Sequence, residues 1–195
     1  MARPKEAILS QSLIRDQALA IIDEDGLDAL TMRRLATRLG VQAASLYTHF
    51  PNKDAVLEAI ADRLARRIDP SDFGASWQAG LRTWATSFHA AVHWHPNAAP
   101  VVAGGSPGRT DHLVKADQVH EALLGYGWPA RHATMVAAAA RFLVLGAATT
   151  AGGDGPDGES PDRSGFTFAL DALIDGLEAV HESVAGRGAR RHAAG

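Results

Sequence analysis

The most regular alternation of apolar and polar positions in the chain lies near its C-terminus. Apolar residues recur there at alternating steps of four and three, which places them on one face of a helix. They are Phe166, Leu170, Leu173, Leu177, Val180 and Val184. Acidic residues occupy the other faces, so another surface must cover this apolar stripe. The pattern predicts a four-helix dimer interface, in which this helix pairs with a preceding helix carrying Val136 and Leu143 and with the symmetry mates of both. Burial of the stripe within one subunit is the alternative.

The preceding segment, residues 130–151, is rich in alanine and apolar on nearly every side. A membrane-spanning helix is one interpretation of such a segment. Arg141 lies near its centre, however, and a central cation costs roughly 3 kcal/mol in a bilayer while the weakly apolar alanines offer little in return. The pattern therefore favours a helix buried between subunits, whose small residues let two helices approach closely.

A wide aromatic stripe runs along residues 77–92, at steps of four, three, four and four. It consists of Trp77, Leu81, Trp84, Phe88 and Val92. Core packing explains the first two members. Trp84 and Phe88 are candidates for a ligand pocket, because the chain that follows is interrupted by two prolines and by the glycine-rich residues 104–108, and interrupted helices leave cavities between them.

Three histidines, His89, His93 and His95, lie in and just after the same segment. The first two are one helical turn apart, a spacing that can chelate a metal ion from one helix face. No carboxylate lies nearby in the sequence to complete a ligand set. Solvated or pocket-lining histidines are therefore the preferred interpretation, and no metal site is predicted.

The N-terminal third of the sequence predicts a helix on each side of residues 31–53, which we call the basic segment. The first has an inner face of Ile14, Ala18, Ile21 and Ile22 and ends near Gly26. The other runs from Lys53 to about Ile68, where Asp69-Pro70 stops it. Its buried side carries Leu57, Ile60 or Ala61, Leu64 and Ile68. This linking helix joins the N-terminal helices to the rest of the chain, so we expect it to transmit a ligand-driven movement of the C-terminal domain to them.

Between these two helices, residues 31–53 predict two short helices joined by a tight turn. Thr31 is an N-cap residue, and the apolar residues Met32, Leu35, Ala36 and Leu39 that follow it share one helical face. Gly40 then supplies the left-handed residue with which a helix ends. The second helix, about residues 42–49, has Leu46 as its core residue, with Phe50 just after it. The remaining residues face outward, which is typical of a helix-turn-helix.

The charge pattern agrees with nucleic-acid binding. The whole chain carries a net charge of −3, whereas the basic segment has four cations and no Asp or Glu. The four are Arg33, Arg34, Arg38 and Lys53. A cationic patch in an acidic protein suits phosphates. Lys53 also lies at a helix N-terminus behind the capping Asn52, where free backbone N–H groups favour phosphate oxygen.

Small side chains on the second helix favour insertion into a DNA groove, because an α-helix enters the major groove only with a narrow leading face. Ala43 and Ala44 keep that face narrow and can contact a thymine methyl group, and Gln42 can pair with adenine. The outward side chains of Ser45, Tyr47, Thr48 and His49 offer hydroxyl and imidazole groups to bases or phosphates. An ordinary helical hairpin with a solvated basic face is the alternative at this stage.

Composition narrows the remaining classes. The chain has 195 residues, 46% of them hydrophobic, which is enough to bury a core, and it has no cysteine, so it contains no disulfide and no thiolate metal site. The N-terminus shows no apolar signal core, and a cytoplasmic location is expected. No nucleophile–base set, P-loop or dinucleotide motif is present, so we expect a binding protein rather than an enzyme, without a cofactor.

The segments at the ends and in one loop have weaker signals. Residues 1–9 form either a basic arm that reaches a minor groove or simply a mobile terminus. Residues 152–164 are acidic and glycine-rich; their single copy of a calcium-binding nonapeptide cannot form the stacked turns that hold the ion, so a mobile loop is expected. Residues 186–195 are predicted to be a disordered tail.

The sequence of residues 30–61, LTMRRLATRLGVQAASLYTHFPNKDAVLEAIA, resembles the DNA-binding domain of the tetracycline repressor (TetR) family. It matches the elements L-T-x-R-x-L-A, L-G-V, L-Y-x-H-x-x-N-K and L-x-A-x-A in order and without gaps. The resemblance implies an all-α homodimer that represses transcription at a palindromic operator until a small molecule binds its C-terminal domain. By matched position, Arg33, Gln42, Ala43 and Ala44 would lie at bases, and Thr31, Tyr47, His49 and Lys53 would hold the backbone.

The expected organisation is therefore an N-terminal three-helix helix-turn-helix domain with its linking helix, residues 1–69, followed by a helical ligand-binding and dimerisation domain, residues 70–185. A small-molecule or metal-binding helical protein without sequence-specific DNA binding is the alternative function. The predicted pocket comprises Trp84, Phe88, Val102, His112, Gln118, Met135 and Phe142.

The resemblance also bears on the effector. Phe88 and Gln118 match residues that contact the drug in the tetracycline repressors that give the family its name. Trp84, however, stands where those proteins have an Asn, and Val102 stands where they have the metal-binding His. Both changes remove polar contacts to the drug. We therefore expect a smaller or more apolar aromatic effector rather than magnesium-tetracycline.

Overall fold

The computed structural model describes residues 9–103, 111–150 and 161–192, with side chains except at 103, 111–117, 161–164 and 185–192. Over these residues the chain forms helices and no strand, which confirms the all-α prediction. The helices are α1 (Gln11–Asp25), α2 (Met32–Leu39), α3 (Ala43–Tyr47), α4 (Lys53–Ala65), α5 (Trp77–His93), α6 (Ala99–Ala103), α7 (Asp111–Gly125), α8 (Ala130–Thr150) and α9 (Pro161–His192). Short 3₁₀ turns lie at Leu27–Ala29, Ser71–Gly74 and Pro96–Ala98.

Local capping signals set the boundaries of the N-terminal helices. The Thr31 hydroxyl oxygen accepts a hydrogen bond from the Arg34 backbone N–H at 3.1 Å, and the Asn52 side chain accepts one from Ala55 at 2.9 Å. Gly40 ends α2 in the left-handed conformation, with φ of 68°. Both predicted caps and the predicted glycine turn are therefore confirmed.

The four N-terminal helices share a buried core. Its largest fully buried side chains are Ile14, Ile21, Ile22, Leu30, Leu35, Leu46, Val56, Ile60 and Leu64. Leu46 is the one buried residue of α3, and Phe50 is buried just after it, as predicted. A helix of five residues is too short to persist alone in water, so α3 depends on this anchor.

The linking helix α4 is shorter than predicted. It ends at Ala65 rather than near Ile68, because residues 66–68 form a tighter turn in which Ile68 nevertheless stays buried. The following Ser71–Gly74 segment, predicted as an irregular linker, is a 3₁₀ turn that packs on α5. Phe73 lies directly over Gly80 there, where only a glycine leaves room for it.

Two hydrogen bonds order this connection, and the first of them joins it to α5. The Asp69 backbone N–H donates to the Ser87 hydroxyl oxygen at 2.8 Å, and the Asp69 carboxylate accepts from the Ser71 backbone N–H at 2.8 Å. The second bond lowers the pKa of Asp69 below its ordinary value, because it favours the charged carboxylate. The connection between the N-terminal helices and the rest is therefore ordered rather than loose.

The aromatic stripe of α5 is fully buried, as predicted for a core helix. Trp77 meets Trp128 edge to face with ring centroids 5.3 Å apart, and Trp84 meets Phe88 in the same way at 5.3 Å. α5 packs against α8 and α9, so it forms the centre of the C-terminal helices.

By length and composition, α8 is able to cross a membrane, with a mean hydropathy of 1.5, and it is the one such helix in the described ranges. The core helix of a globular protein meets the same description. One side of α8 packs on α5, α7 and α9 through Ala133, Val136, Ala140, Val144 and Ala148. That buried side sets the rotation of the helix about its axis.

The apolar stripe of α9 is divided between two environments. Its first members, Phe166 and Leu170, are buried within the same chain together with Ile174, whereas Leu173 and Leu177 are half-buried and Val180 is exposed. α9 also continues to His192, so residues 186–192 are helical where disorder was predicted. The three arginines and one alanine there are good helix formers, and the helix continues through two glycines. The predicted loop at residues 152–164 is wrong for residues 161–164, which belong to α9. Its residues 152–160 and residues 1–8 of the predicted arm lie outside the described residues.

Candidate nucleic-acid interface and ligand cavity

The outward face of α3 presents the side chains that the sequence selected. Gln42, Ala44, Tyr47 and Thr48 are exposed, and Ala43, Ser45 and His49 are half-buried. The Thr48 hydroxyl donates to the Ser45 carbonyl oxygen at 2.7 Å, so it keeps only its accepting capacity for a ligand. The face is narrow and polar at one end, the shape that major-groove insertion requires.

The cations of the basic segment are less free than the sequence suggested. Arg34 is ion-paired with Asp25. Arg38 binds both carboxylate oxygens of Glu24, at 2.5 and 2.6 Å, and also Gln17. Two of the four cations are therefore paired within the protein, because the acidic end of α1 lies alongside α2.

Lys53 and Arg33 complete the set of four. The Lys53 ammonium donates to the Leu27 carbonyl oxygen at 3.2 Å, so it is turned toward its own protein rather than fully free for phosphate. Arg33 is exposed, and it has no side-chain hydrogen bond or ion pair within the described part of the chain. Arg33 is therefore the cation of this segment that is most available to DNA.

The ion pairs between α1 and α2 help to hold the N-terminal helices together. The hydrogen bonds between Glu24 and Arg38 lower the pKa of Glu24 and raise the pKa of Arg38, so both groups stay charged at neutral pH. On the other side of α1, Asp16 pairs with Arg63 of α4. These exposed pairs add to the apolar packing that holds α2 and α4 against α1.

Thr31 combines a structural and a potential binding role. Its hydroxyl oxygen already accepts the capping hydrogen bond from Arg34, while the hydroxyl proton remains available as a donor. A phosphate oxygen accepts hydrogen bonds, so the cap is compatible with the predicted backbone contact.

The predicted pocket residues separate into three groups. Trp84, Phe88 and Val102 are buried in the core cluster, and their role in a pocket stays a prediction. Gln118, Met135 and Phe142 are exposed, and this corrects their assignment to an enclosed pocket. The rotation of α8 explains the last two, because it directs Met135 and Phe142 away from the core. The side chain of His112 lies outside the described residues.

Trp84 gives the predicted pocket one polar feature. Its indole Nε1 is buried and has no hydrogen-bond acceptor in the ranges that the structure describes. A buried donor without an acceptor costs about 1–3 kcal/mol, so such groups usually meet a bound water or ligand. The indole N–H is therefore a candidate donor to an effector.

The three histidines are not brought together. His89 and His93 line a cavity of about 220 Å³ between α5 and α9, where the His89 ring stacks on Phe166 at 4.2 Å. His95 instead bonds to Asp23 of α1. No group of three or more metal-ligating side chains occurs among the residues that the structure describes.

The predicted interface residues fall into a buried group and a more exposed group. Val136, Phe166 and Leu170 are buried within one chain, so an interface is not needed to cover them and the stripe alone assigned them wrongly. Leu143, Leu173 and Leu177 are half-buried, and Val180 is exposed. A shallow groove of about 400 Å³ runs between α8 and α9, lined in part by Phe142, Leu143 and Ala169.

Sequence reasoning missed several features of this surface. Phe168, which is 76% exposed, falls outside the predicted stripe, and Phe142, 70% exposed, was placed in the pocket. The Asp23–His95 hydrogen bond joins residues 72 positions apart, which no local pattern reveals. The acidic residues 23–25 were a usable signal for the ion pairs with α2, since they come just before the basic segment.

Comparison with known proteins agrees with this geometry. Residues 14–60 match the model of the bacterial regulatory proteins of the tetR family. The class D tetracycline repressor of Escherichia coli is 41% identical over 104 residues, which are 52% of this chain and 48% of that protein. The match thus spans about half the length of that relative.

Two solved structures are similar over nearly their whole length. TetR from Acinetobacter baumannii AYE, as a variant in complex with minocycline, is 30% identical with a TM-score of 0.70 and covers 88% of this chain and 98% of its own. BioQ with its double-stranded DNA operator is 27% identical with a TM-score of 0.66, over 88% of this chain and 99% of its own.

Proposed function

Because this chain belongs to the tetracycline repressor family, we propose that it is a transcriptional repressor that binds a palindromic operator as a homodimer and leaves it when a small molecule binds. The proposal depends above all on α3, whose exposed face is narrow and which is anchored to the core by Leu46. The similar BioQ structure contains an operator duplex. We place this function in the cytoplasm, where DNA is accessible, and propose no enzymatic activity.

Residues 1–69 would read DNA and residues 70–185 would bind the effector and the second subunit. At bases we place Arg33, Gln42, Ala43 and Ala44, since base edges are read by short side chains and bidentate donors. Thr31, Ser45, Tyr47, Thr48, His49 and Lys53 would contact phosphates and so set the register. Arg33 and Tyr47 are the most informative of these, because their side chains are exposed without being needed for the core.

The exposed apolar side chains of α8 and α9 support the dimer. Phe142, Phe168, Met135 and Val180 are exposed on two adjacent helices, and a second copy would cover the half-buried residues beside them. The interface is therefore proposed on Leu143, Leu173, Leu177 and Val180, with Phe142 and Phe168 added. Two-fold symmetry places two α3 helices at half-sites about one helical turn apart, which is why the operator should be palindromic.

The effector is proposed to be a small apolar or aromatic molecule with one hydrogen-bond acceptor. Trp84 and Phe88 supply aromatic surface, and the Trp84 indole N–H supplies a donor. Val102 is a buried hydrocarbon and cannot ligate a metal ion. Calorimetry should therefore detect no tight, magnesium-dependent tetracycline binding. Tight binding that requires magnesium would overturn this part of the proposal.

The experiment that tests the function is selection of bound sequences from random DNA with the purified protein, followed by binding measurements on the enriched duplex. We expect an inverted repeat. Arg33→Ala and Tyr47→Ala should each weaken its binding about tenfold, as expected when about 1.4 kcal/mol is lost. Arg67→Ala is the matched control, since Arg67 is an exposed cation beyond the far end of α4.

The alternative function makes the opposite prediction. A small-molecule-binding helical protein without sequence-specific DNA binding would enrich no sequence, and neither substitution would change its affinity for DNA. That function is not favoured, since residues 14–60 match a family of regulatory proteins. If the selection does enrich an inverted repeat, a screen for compounds that release the protein from this duplex would identify the effector.

A further inference from the structure

Asp23, near the end of α1, is hydrogen-bonded to the turn between α5 and α6. The His95 ring Nδ1 lies 2.8 Å from the Asp23 carboxylate, which can only accept, so Nδ1 is the donor. The Asn97 side-chain amide donates to the Asp23 backbone carbonyl oxygen at 3.1 Å. The Asp23 and His95 side chains are 30% and 23% exposed, so both are largely removed from water. We refer to these two hydrogen bonds as the Asp23 contact.

On one side, the Asp23 contact leads directly to the DNA-reading helices. The next residues along α1, Glu24 and Asp25, hold Arg38 and Arg34 of α2. α1 also packs on α4. A displacement of the end of α1 therefore moves α2 with it, and α2 is joined to α3 by a three-residue turn.

On the other side, the Asp23 contact leads to the predicted effector pocket. His95 and Asn97 flank Pro96 in the 3₁₀ turn, and α6 begins only two residues later at Ala99. α6 carries the buried Val102, one of the predicted pocket residues. The turn is too short to absorb a movement of α6, so the Asp23 contact must either follow that movement or break.

We propose that the Asp23 contact positions the helix-turn-helix relative to the C-terminal helices, and thereby sets the half-site spacing that the dimer accepts. The inference rests on the proposed function. α4 also packs against α5, α6 and α7, largely through apolar side chains, and the burial of apolar surface is not directional. A hydrogen bond between a carboxylate and an imidazole is directional and fixes one arrangement.

The second oxygen of Asp23 supports this role. Oδ1 is buried and has no hydrogen-bond partner among the residues described, so the carboxylate depends on His95 alone for its side-chain hydrogen bond. A partly buried carboxylate that lost this bond would make fewer hydrogen bonds than it makes in water, which is unfavourable. The contact therefore favours two distinct states, made and broken, over a gradual change.

The test compares operator affinities in the full-length dimer. We would measure the wild-type protein, Asp23→Ala, His95→Ala and the double variant on three duplexes: the selected operator, the same operator with one base pair inserted between its half-sites, and a single half-site. Asp171→Ala is the matched control, because the Arg82–Asp171 pair joins α5 to α9 within the C-terminal helices.

The wild-type protein should strongly prefer the selected spacing over the inserted one. Both single variants should reduce this preference about fivefold, the size expected for one lost hydrogen bond. The double variant should lose no more than either single one, since both substitutions remove the same contact. Half-site affinity should stay unchanged in all of them, and the control should keep the wild-type preference.

Three results would overturn the inference. The first is that the variants keep the wild-type spacing preference, and the second is that the control variant relaxes this preference equally. The third is that half-site affinity falls as far as operator affinity, which would mean that the contact only supports the fold of the N-terminal helices. Failure of the proposed function looks different, because the wild-type protein itself would then prefer no sequence.

Discussion

Replacing Leu46 with alanine tests whether α3 is held by a single buried anchor. Leu46 is 0% exposed and is the one buried side chain in a helix of five residues. Truncating a fully buried leucine in a close-packed core costs about 3 kcal/mol, through lost burial and the cavity that remains. Because so short a helix has no other source of stability, the loss of stability in Leu46→Ala should be concentrated in α3.

The free energy of unfolding, measured by urea denaturation, should therefore fall by about 3 kcal/mol in Leu46→Ala. Amide hydrogen exchange of residues 43–50 should speed up more than that of α5. Leu46→Met is the matched control and should cost less than about 1.5 kcal/mol, since it nearly conserves volume. A loss below about 1 kcal/mol in Leu46→Ala, or exchange that accelerates evenly over the whole chain, would refute the reasoning.

Three further predictions follow from other contacts. Gly80→Ala should lower the melting temperature and the free energy of unfolding by about 1–3 kcal/mol, because its new β-carbon would lie 2.7 Å from the Phe73 Cα, whereas Gly125→Ala, with open space, should not. The lowered pKa of Glu24 means that its pair with Arg38 stabilises the protein above pH 4.5 and that this contribution disappears as the pH falls through the lowered value. Glu24→Gln should thus destabilise at neutral pH and show a weaker loss of stability in acid denaturation, and equal acid profiles would contradict this. Phe168→Asp should give monomers in sedimentation experiments while its circular dichroism stays helical, because Phe168 is 76% exposed in the single chain; an unchanged dimer would remove Phe168 from the interface.

Local signals predicted the helix-turn-helix well. Thr31, Gly40 and Asn52 act within three or four residues of themselves, so their sequence positions are sufficient evidence for their roles. Leu46 was identifiable for a similar reason, since it is the main apolar residue of an otherwise small and polar helix.

Charge was harder to predict, because it depends on packing. The basic segment contains no acidic residue, but Asp25 and Glu24 lie 9 and 14 residues before their arginine partners and are brought alongside by the fold. A window that begins at Thr31 does not include them. The sequence therefore overestimated the free positive charge and did not single out Arg33.

The faces of α8 and α9 show the limits of periodicity. A helix that is apolar on nearly every side does not reveal its rotation, and Val136 and Phe142 were consequently placed on the wrong sides. The α9 stripe has a clear period, but a period does not indicate whether the covering surface belongs to the same chain. Phe166 and Leu170 are covered by their own chain, and only the later positions are left for a partner.

The most direct test of the central claim is the ratio of two dissociation constants, measured for the purified protein at about 0.15 M salt. One belongs to the inverted repeat selected from random DNA and the other to a duplex of equal length with scrambled half-sites. If paired α3 helices read bases, the ratio should reach about a thousandfold, with one dimer bound per operator. Equal dissociation constants, with a steep salt dependence for both duplexes, would contradict the account, because the basic segment would then bind phosphates without reading sequence.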